Sequence, residues 1–334
     1  MAFQMPYGGR GGADSGREPP LEILLQQAED EEADGMHATG FVMWPSAVML
    51  SRWLARNPSI VLGGRGGGAA EASAAAEGDI LELGAGCGLV GLTAAALLRR
   101  DRLRREDDEE ADQEEDEDGG DVEGGKVIFT DYNPAVLENL ERNLRLNRLD
   151  GGRSSVVGLD FFDQSPAADG TGGSDADAPP GAAARPGWIG MDGTRRRPVR
   201  LVLAAEILCY SNDAALVAGT LEGALCEGGR AILLGPDSTH RFGVEEFPEA
   251  CRNLGLTVRI TDRIKVGDDP LAALVAGDGD GDVDADVDAP PAVDRPAVGR
   301  DETLMRELEE SGYSRSHVAY DFTMFTVDKP ISAG

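Results

Sequence analysis

The sequence has no surplus of positive charge: 31 lysines and arginines stand against 61 aspartates and glutamates, a formal net charge of −30. Acidic runs repel a phosphate backbone rather than neutralise it, which excludes nucleic acid as the expected partner. Cysteine is also scarce. Cys87, Cys209, Cys226 and Cys251 are widely spaced and form no CxxC pair. That argues against a zinc ribbon or a disulfide framework and predicts reduced core thiols in a cytoplasmic or nuclear protein. No spacing of His, Cys and acids suggests a metal ligand set. No run approaches the roughly 20 apolar residues that span a bilayer. The first twelve residues, rich in Gly, Arg and Pro, lack the apolar centre of a signal peptide. No membrane partner is therefore expected.

What is abundant is acid, and it is concentrated. Residues 101–125 carry 14 acids against three arginines, residues 268–294 nine acids and no base, and residues 14–34 eight acids against Arg17. The rest of the chain is close to neutral, so a single folded domain carrying solvated insertions is the expected organisation. Its bounds are 39–330, with insertions at 63–78, 101–125, 165–187 and 268–294, after a largely disordered tail at 1–38. In that tail only Leu21, Ile23, Leu24 and Leu25 suggest a short element. A basic protein is the partner class such acidity would favour, although a solvated surface needs none. The GDGDGDVDADVD run fails as an EF-hand, with Val283 at the glycine position and Ala289 at the glutamate position.

The organising stretch is Asp79–Leu98, DILELGAGCGLVGLTAAALL. Asp79–Leu83 suits a buried strand, and Leu89, Leu92, Thr93, Ala96 and Leu97 fall on one helical face. Gly84, Gly86 and Gly88 lie between. A turn this tight requires positive backbone dihedrals and close ligand approach, and the amides opening the helix face whatever lies above it. Gly86, Gly88 and Gly91 also satisfy the GxGxxG pattern of dinucleotide enzymes, so glycine spacing alone does not name the ligand. Glu82, inside the strand, suits an amino group better than a pyrophosphate.

Further acids close the neighbouring strands. Asp131 ends a strand at Val127–Thr130, where a carboxylate accepts from both hydroxyls of a ribose or caps the helix predicted over Pro134–Asn147. Asp160, after Ser155–Leu159, suits an adenine amino group, and Phe161 suits the base edge or the core. Strand four, Arg200–Ala204, is apolar enough to be central. Ala205 follows it at the cofactor end, then Glu206 and Tyr210. A helix is expected from Pro45 to Arg56, with Trp44 just before it as a hydrophobic lid. Predicted beyond these are a connecting loop at 188–200, a helix over Asn212–Leu225, strand five at Ala231–Leu234, a helix over Val244–Leu254 and strand six at Thr257–Ile264. A last helix at Asp301–Glu310 precedes a closing antiparallel strand at Val318–Val327, with Asp321 and Thr323 facing outward. His240, in the loop GPDSTHRFG, reads as a surface histidine.

ELGAGCG resembles the first motif of class I S-adenosylmethionine methyltransferases. FVMWPSAVMLSRWL (41–54) and TDYNPAVLENLERNLRLN (130–147) extend the resemblance to the seven-β-strand protein-lysine methyltransferases. The resemblance implies an α/β fold: a doubly wound, mostly parallel seven-stranded sheet, Rossmann-like, with an antiparallel last strand. It implies S-adenosyl-L-methionine as cofactor, bound by Trp44, Glu82, Gly84, Gly86, Gly88, Asp131, Asp160, Phe161 and Ala205. It also implies methyl transfer to a protein lysine by a monomer, with Glu206 and Tyr210 as catalytic candidates. The family usually spaces Asp, two residues, then Tyr at that place; here Glu replaces Asp and one more residue intervenes. Methylation of arginine, histidine or a small molecule, nicotinamide-dependent oxidoreduction, and a non-catalytic partner-binding role are the competing expectations.

Overall fold

The computed structural model describes residues 1–5, 19–27, 40–63, 78–112, 125–163, 187–264 and 321–331. The 268–294 insertion, the expected helix Asp301–Glu310 and residues 318–320 of the expected last strand lie outside the described residues, as do nearly all of 63–78 and 165–187.

Seven strands form one sheet. They are β3 (Ile80–Leu83), β4 (Val127–Asp131), β5 (Ser154–Gly158), β8 (Val199–Ala205), β9 (Leu225–Pro236), β10 (Thr257–Ile264) and β11 (Phe322–Asp328), in the order β10-β11-β9-β8-β3-β4-β5. β3 pairs parallel with β4 and β8, β4 with β5, and β8 with β9, whereas β11 runs antiparallel to both its neighbours. This is the expected doubly wound, Rossmann-like methyltransferase sheet with a reversed last strand. Strand order changes direction between β3 and β8, and at such a point the loops leaving adjacent strands diverge and open a crevice. β3 can occupy the centre because all four of its residues are buried, leaving both faces free to pack.

Two apolar layers cover the sheet. On one face lie α1 (Pro45–Arg56), α2 (Pro58–Leu62), α3 (Leu89–Asp112) and α4 (Pro134–Leu146), with Leu50, Leu54, Leu92 and Leu140 among the residues of that core. On the other lie α5 (Asp213–Ala224) and α6 (Phe247–Asn253), with Val217, Leu221 and Phe247. α1 starts and stops where its sequence predicts. Proline at its first position needs no hydrogen-bonded N–H, and the helix is buried almost all round.

Several expectations change. α3 does not stop at the insertion expected from residue 101 but runs on to Asp112. Arg105 pairs with Asp101 and Arg102 with Glu106, each one turn apart, so the first part of the acidic block supports a helix rather than breaking it. Residues 188–200 are not merely a loop: β6 (Trp188–Ile189) and β7 (Arg195–Arg196) pair antiparallel, with the Arg196 guanidinium 5.5 Å above the buried Trp188 ring. β9 starts at Leu225 rather than Ala231, directly after α5. Thr323 does not face outward; it is buried and donates to Asp262 Oδ1 at 2.9 Å. The reason is position: β11 lies inside the sheet, so Phe322 and Met324 enter one core and Phe325 and Val327 the other.

The start of the chain also departs from the expected tail. β1 (Ala2–Met5) pairs antiparallel with β2 (Leu21–Leu24), and Phe3, Met5, Leu21 and Ile23 are buried. β2 and the residues just after it are fixed by two asparagines four residues apart, Asn143 on α4 and Asn147 at its C-cap. Asn147 accepts from Leu24 N (2.8 Å) and donates to Leu24 O (2.6 Å), while Asn143 accepts from Gln26 N (2.8 Å) and donates to Gln26 O (3.0 Å). One helical turn rises about 5.4 Å and two extended residues span about 6.6 Å. Amides four apart on a helix can therefore meet alternate residues of an extended chain.

Candidate active site

The glycine turn lies at the carboxyl end of β3. Gly84, Gly86 and Gly88 adopt φ values of +64°, +52° and +84°, a left-handed run that side chains resist. Ala85 N donates to Thr130 O at 2.7 Å and Thr130 Oγ1 to Glu82 O at 2.6 Å, which ties the turn to the end of β4. The walls are close. A Cβ at Gly84 would meet Ile207 Cγ2 at 2.8 Å, and one at Gly86 would meet Gly40 O at 3.2 Å. The thiol of Cys87 donates to Phe41 O at 3.3 Å and Asn143 Nδ2 donates to Cys87 O at 3.0 Å, so α1's leading segment and α4 both grip the turn. Burial, then Glu82 and Asp131, push the Cys87 thiol up to about 12, consistent with the expected inert core thiol.

Glu82 is only 3% exposed. A Cβ at Gly91 would collide with its Oε2, so glycine there lets α3 sit directly on the carboxyl. That Oε2 is buried and accepts no hydrogen bond among the described residues. Burial, above all, pushes Glu82 up to about 8; the amides of Gly91 and Val90 oppose the shift and the charge of Asp131 adds to it.

Asp131 faces the turn. Its Oδ2 accepts from Gly86 N at 3.1 Å and its Oδ1 from Asn133 N at 3.0 Å. Burial raises its pKa and those amides hold it back. The capping alternative goes to another residue: Asn133 is the N-cap of α4 and accepts from Ala135 N. Asp160 lies two residues past the end of β5 and accepts from Phe162 N at 2.9 Å. Phe161 is half-buried, stacks with Phe162 at 5.0 Å and packs against the second core.

At the end of β8, Ala205 pairs with Leu234 and Glu206 turns out of the strand with φ +59°. A left-handed glutamate is uncommon and persists where its surroundings fix it. Here Glu206 N donates to Leu234 O at 3.0 Å, Ser46 Oγ donates to Oε1 at 2.7 Å, and Arg241 Nη2 donates to Oε2 at 3.3 Å. Burial raises its pKa, opposed by Ser46 and Arg241. The guanidinium of Arg241 lies 5.7 Å above the ring of Trp44, the half-buried residue that opens α1. Tyr210 is 47% exposed, and its loop is held by Asp213 Oδ2, which accepts from Cys209 N and Tyr210 N at 2.8 Å each. Tyr132 is equally exposed, and its pKa is raised by burial and by the charges of Asp131, Asp160 and Tyr210. His240 is exposed and bonded to Asp237, as a surface histidine would be.

Sequence reasoning thus named Trp44, Glu82, the glycines, Asp131, Asp160, Ala205, Glu206 and Tyr210, which the fold gathers along adjacent strand ends. It missed Ser46, Tyr132, Asp213 and Arg241. Arg241 carries no local motif; Tyr132, directly after the strand-ending Asp131, could have been found. The residues fit an adenosyl sulfonium. A buried carboxyl whose Oε2 accepts no hydrogen bond among the described residues suits its ammonium, Asp131 retains lone pairs for a ribose diol, and Asp160 lies one strand further out. Among the described residues no helix is long and apolar enough to cross a membrane, and no cluster of His, Cys and acids could hold a metal.

A family model described as lysine methyltransferase matches residues 25–163. No curated protein matches the chain significantly. Among solved structures, a candidate sarcosine dimethylglycine methyltransferase from Galdieria sulphuraria superposes with a TM-score of 0.42 at 12% identity, covering 85% of this chain and 86% of that one. An rRNA methylase from Streptococcus thermophilus gives 0.37 at 10% identity, covering 85% and 96%. Likenesses this distant say nothing about substrate. With the family match and the order of the sheet, the chain has the class I, seven-β-strand S-adenosylmethionine-dependent methyltransferase fold and resembles the lysine methyltransferase family over residues 25–163.

Proposed function

We propose that this methyltransferase modifies a protein side chain, a lysine, and that it does so as a monomer of the cytoplasm or nucleus. The observation that carries the reading is the family match across the glycine turn and its flanks, joined to two exposed tyrosines, Tyr132 and Tyr210, the first of them close enough to Asp131, Asp160 and Tyr210 to feel their charges. When bound, the cofactor supplies an electrophilic methyl on sulfur. Glu82 would hold its ammonium, Gly84, Gly86 and Gly88 its methionine end, Asp131 its ribose, Asp160 its adenine amino group and Phe161 the base edge, with Ala205 and Trp44 alongside.

The chain's remaining task is to present a neutral amine in line with that methyl. Lysine near pKa 10.4 is almost wholly protonated at neutral pH, so an apolar, partly dry approach that disfavours the ammonium raises the reactive fraction. Orientation in such a channel lowers the barrier by several kcal/mol. Tyr210 and Trp44 are suited to line it, with ring faces that attract a cation before it loses its proton. Glu206 reaches the same place, but its carboxylate is bonded to Ser46 and Arg241. Its part is to hold the acceptor side together and orient what enters, more than to take a proton freely. A substrate of basic character fits a chain this acidic.

The test is transfer of labelled methyl from the cofactor to a cell lysate, with mass-spectrometric mapping of the products. Methyl-lysine in a protein supports the reading; label confined to arginine, histidine or small molecules replaces it.

A further inference from the structure

The cofactor carries a carboxylate beside its ammonium, yet the charged groups at the glycine turn and the strand ends beside it are acids: Glu82, Asp131 and, next to the Ile207 that meets Gly84, Glu206. The cation that the contacts bring to this cluster is Arg241. Its guanidinium is anchored on two sides, by Nη2 to Glu206 Oε2 at 3.3 Å and by Nη1 to His240 O at 3.2 Å, and the Trp44 ring lies 5.7 Å beneath it. Glu206 and Trp44 both belong to segments that touch the turn. Ile207, next to Glu206, packs on Gly84, and Gly40, in the segment leading to Trp44, lies over Gly86. The Nε of Arg241 is buried and donates to no acceptor among the described residues. A guanidinium serving only as a rim ion pair would leave that donor to water. Burying it unmatched costs free energy unless a ligand accepts from it. Burial raises the pKa of the neighbouring Cys209 thiol, and the charge of Arg241 and a side-chain hydrogen bond with it oppose the rise, so the partner this guanidinium has there is sulfur, a weak acceptor that a carboxylate would outcompete.

We propose that Arg241 binds the carboxylate of the cofactor's methionine end, with Glu206 and Trp44 fixing the guanidinium so that its free donors point to that carboxylate. This rests on the cofactor reading above. The division of labour is chemical: Glu82 takes the ammonium and Arg241 the carboxylate, so an amino-acid zwitterion is read at both ends. A planar fork suits the task, since two parallel N–H donors match two carboxylate oxygens.

The test is calorimetric titration of the full chain, and of Arg241→Gln and Arg241→Lys, with S-adenosylmethionine and with its decarboxylated form, which differs only in lacking the carboxylate. The parent chain should prefer the carboxylate-bearing ligand by about 10- to 100-fold, the range of a buried hydrogen bond to a charged group. Arg241→Gln should bring that ratio close to one by weakening only the carboxylate-bearing ligand, and Arg241→Lys should keep part of it. Comparing two ligands on the same variant removes any general loss of folding. Equal weakening of both ligands would overturn the inference, leaving Arg241 as a brace between α1 and β8. If the parent chain binds neither ligand, the cofactor reading falls first and the inference with it.

Discussion

Replacing Glu82 with glutamine should move stability and cofactor affinity in opposite directions. Glu82 is buried, its Oε2 accepts no hydrogen bond, and its pKa lies near 8 against an ordinary value of 4.5. Below pH 4.5 the group is protonated in both folded and unfolded chains and contributes no pH dependence. Between the two values the folded chain keeps a proton that the unfolded chain releases, so stability falls as pH rises. The full deficit above pH 8, at 1.36 kcal/mol per pH unit, is roughly 5 kcal/mol. Glu82→Gln preserves shape and removes the titration. In urea melts from pH 5 to 9 the two proteins should be nearly equal at pH 5, with the variant gaining up to roughly 5 kcal/mol on the parent by pH 9. Every other acid titrates in both proteins, so the difference curve isolates residue 82. Above pH 8, where Glu82 is ionised, cofactor affinity should fall about 10- to 100-fold, because the ammonium loses its ionised partner. Stability curves that stay parallel across the pH range would refute the burial argument.

The asparagine ladder gives a second expectation: Asn143→Ala strips the side-chain partner from Gln26 N and Cys87 O, leaves Gln26 O with Asn139 alone, and should cost about 2–4 kcal/mol in a denaturant melt. Because one of those groups belongs to the glycine turn, affinity for S-adenosylhomocysteine should weaken as well. Asp131→Ala should lower cofactor affinity at least about tenfold by calorimetry; unchanged affinity would remove the ribose assignment. Tyr210→Phe should lower turnover while leaving cofactor affinity alone, and equal loss of both would take Tyr210 out of the acceptor side.

Local signals read well where neighbours in sequence decide the outcome. α1 is announced by Pro45 and by apolar spacing through Leu54, β3 and its turn by three glycines after an apolar run, and β10 by the alternation from Thr257 to Ile264. The misreadings share a cause in long-range placement. Thr323 looks outward by alternation, but β11 lies between β9 and β10 and has no outward face. Composition marks α3's second half as an insertion, whereas Arg–acid pairs four apart carry the helix into it. The asparagines at 139, 143 and 147 are visible as a period of four, yet the backbone that Asn143 grips at Gln26 lies 117 residues away. Ser46 and Glu206 are 160 residues apart and Glu206 and Arg241 35. No spacing rule joins them; the switch of strand order between β3 and β8 does. Departure from the family's Asp-to-Tyr spacing coincides with the left-handed turn at Glu206, a conformation that is fixed by contacts with α1 and the loop after β9.

The central claim is that the bend after β3, with Glu82 behind it and Asp131 beside it, receives an adenosyl amino acid. Titrating the full chain with S-adenosylhomocysteine tests this most directly. The account predicts one saturable site per chain, whereas a folded chain that takes up none of the ligand would contradict it.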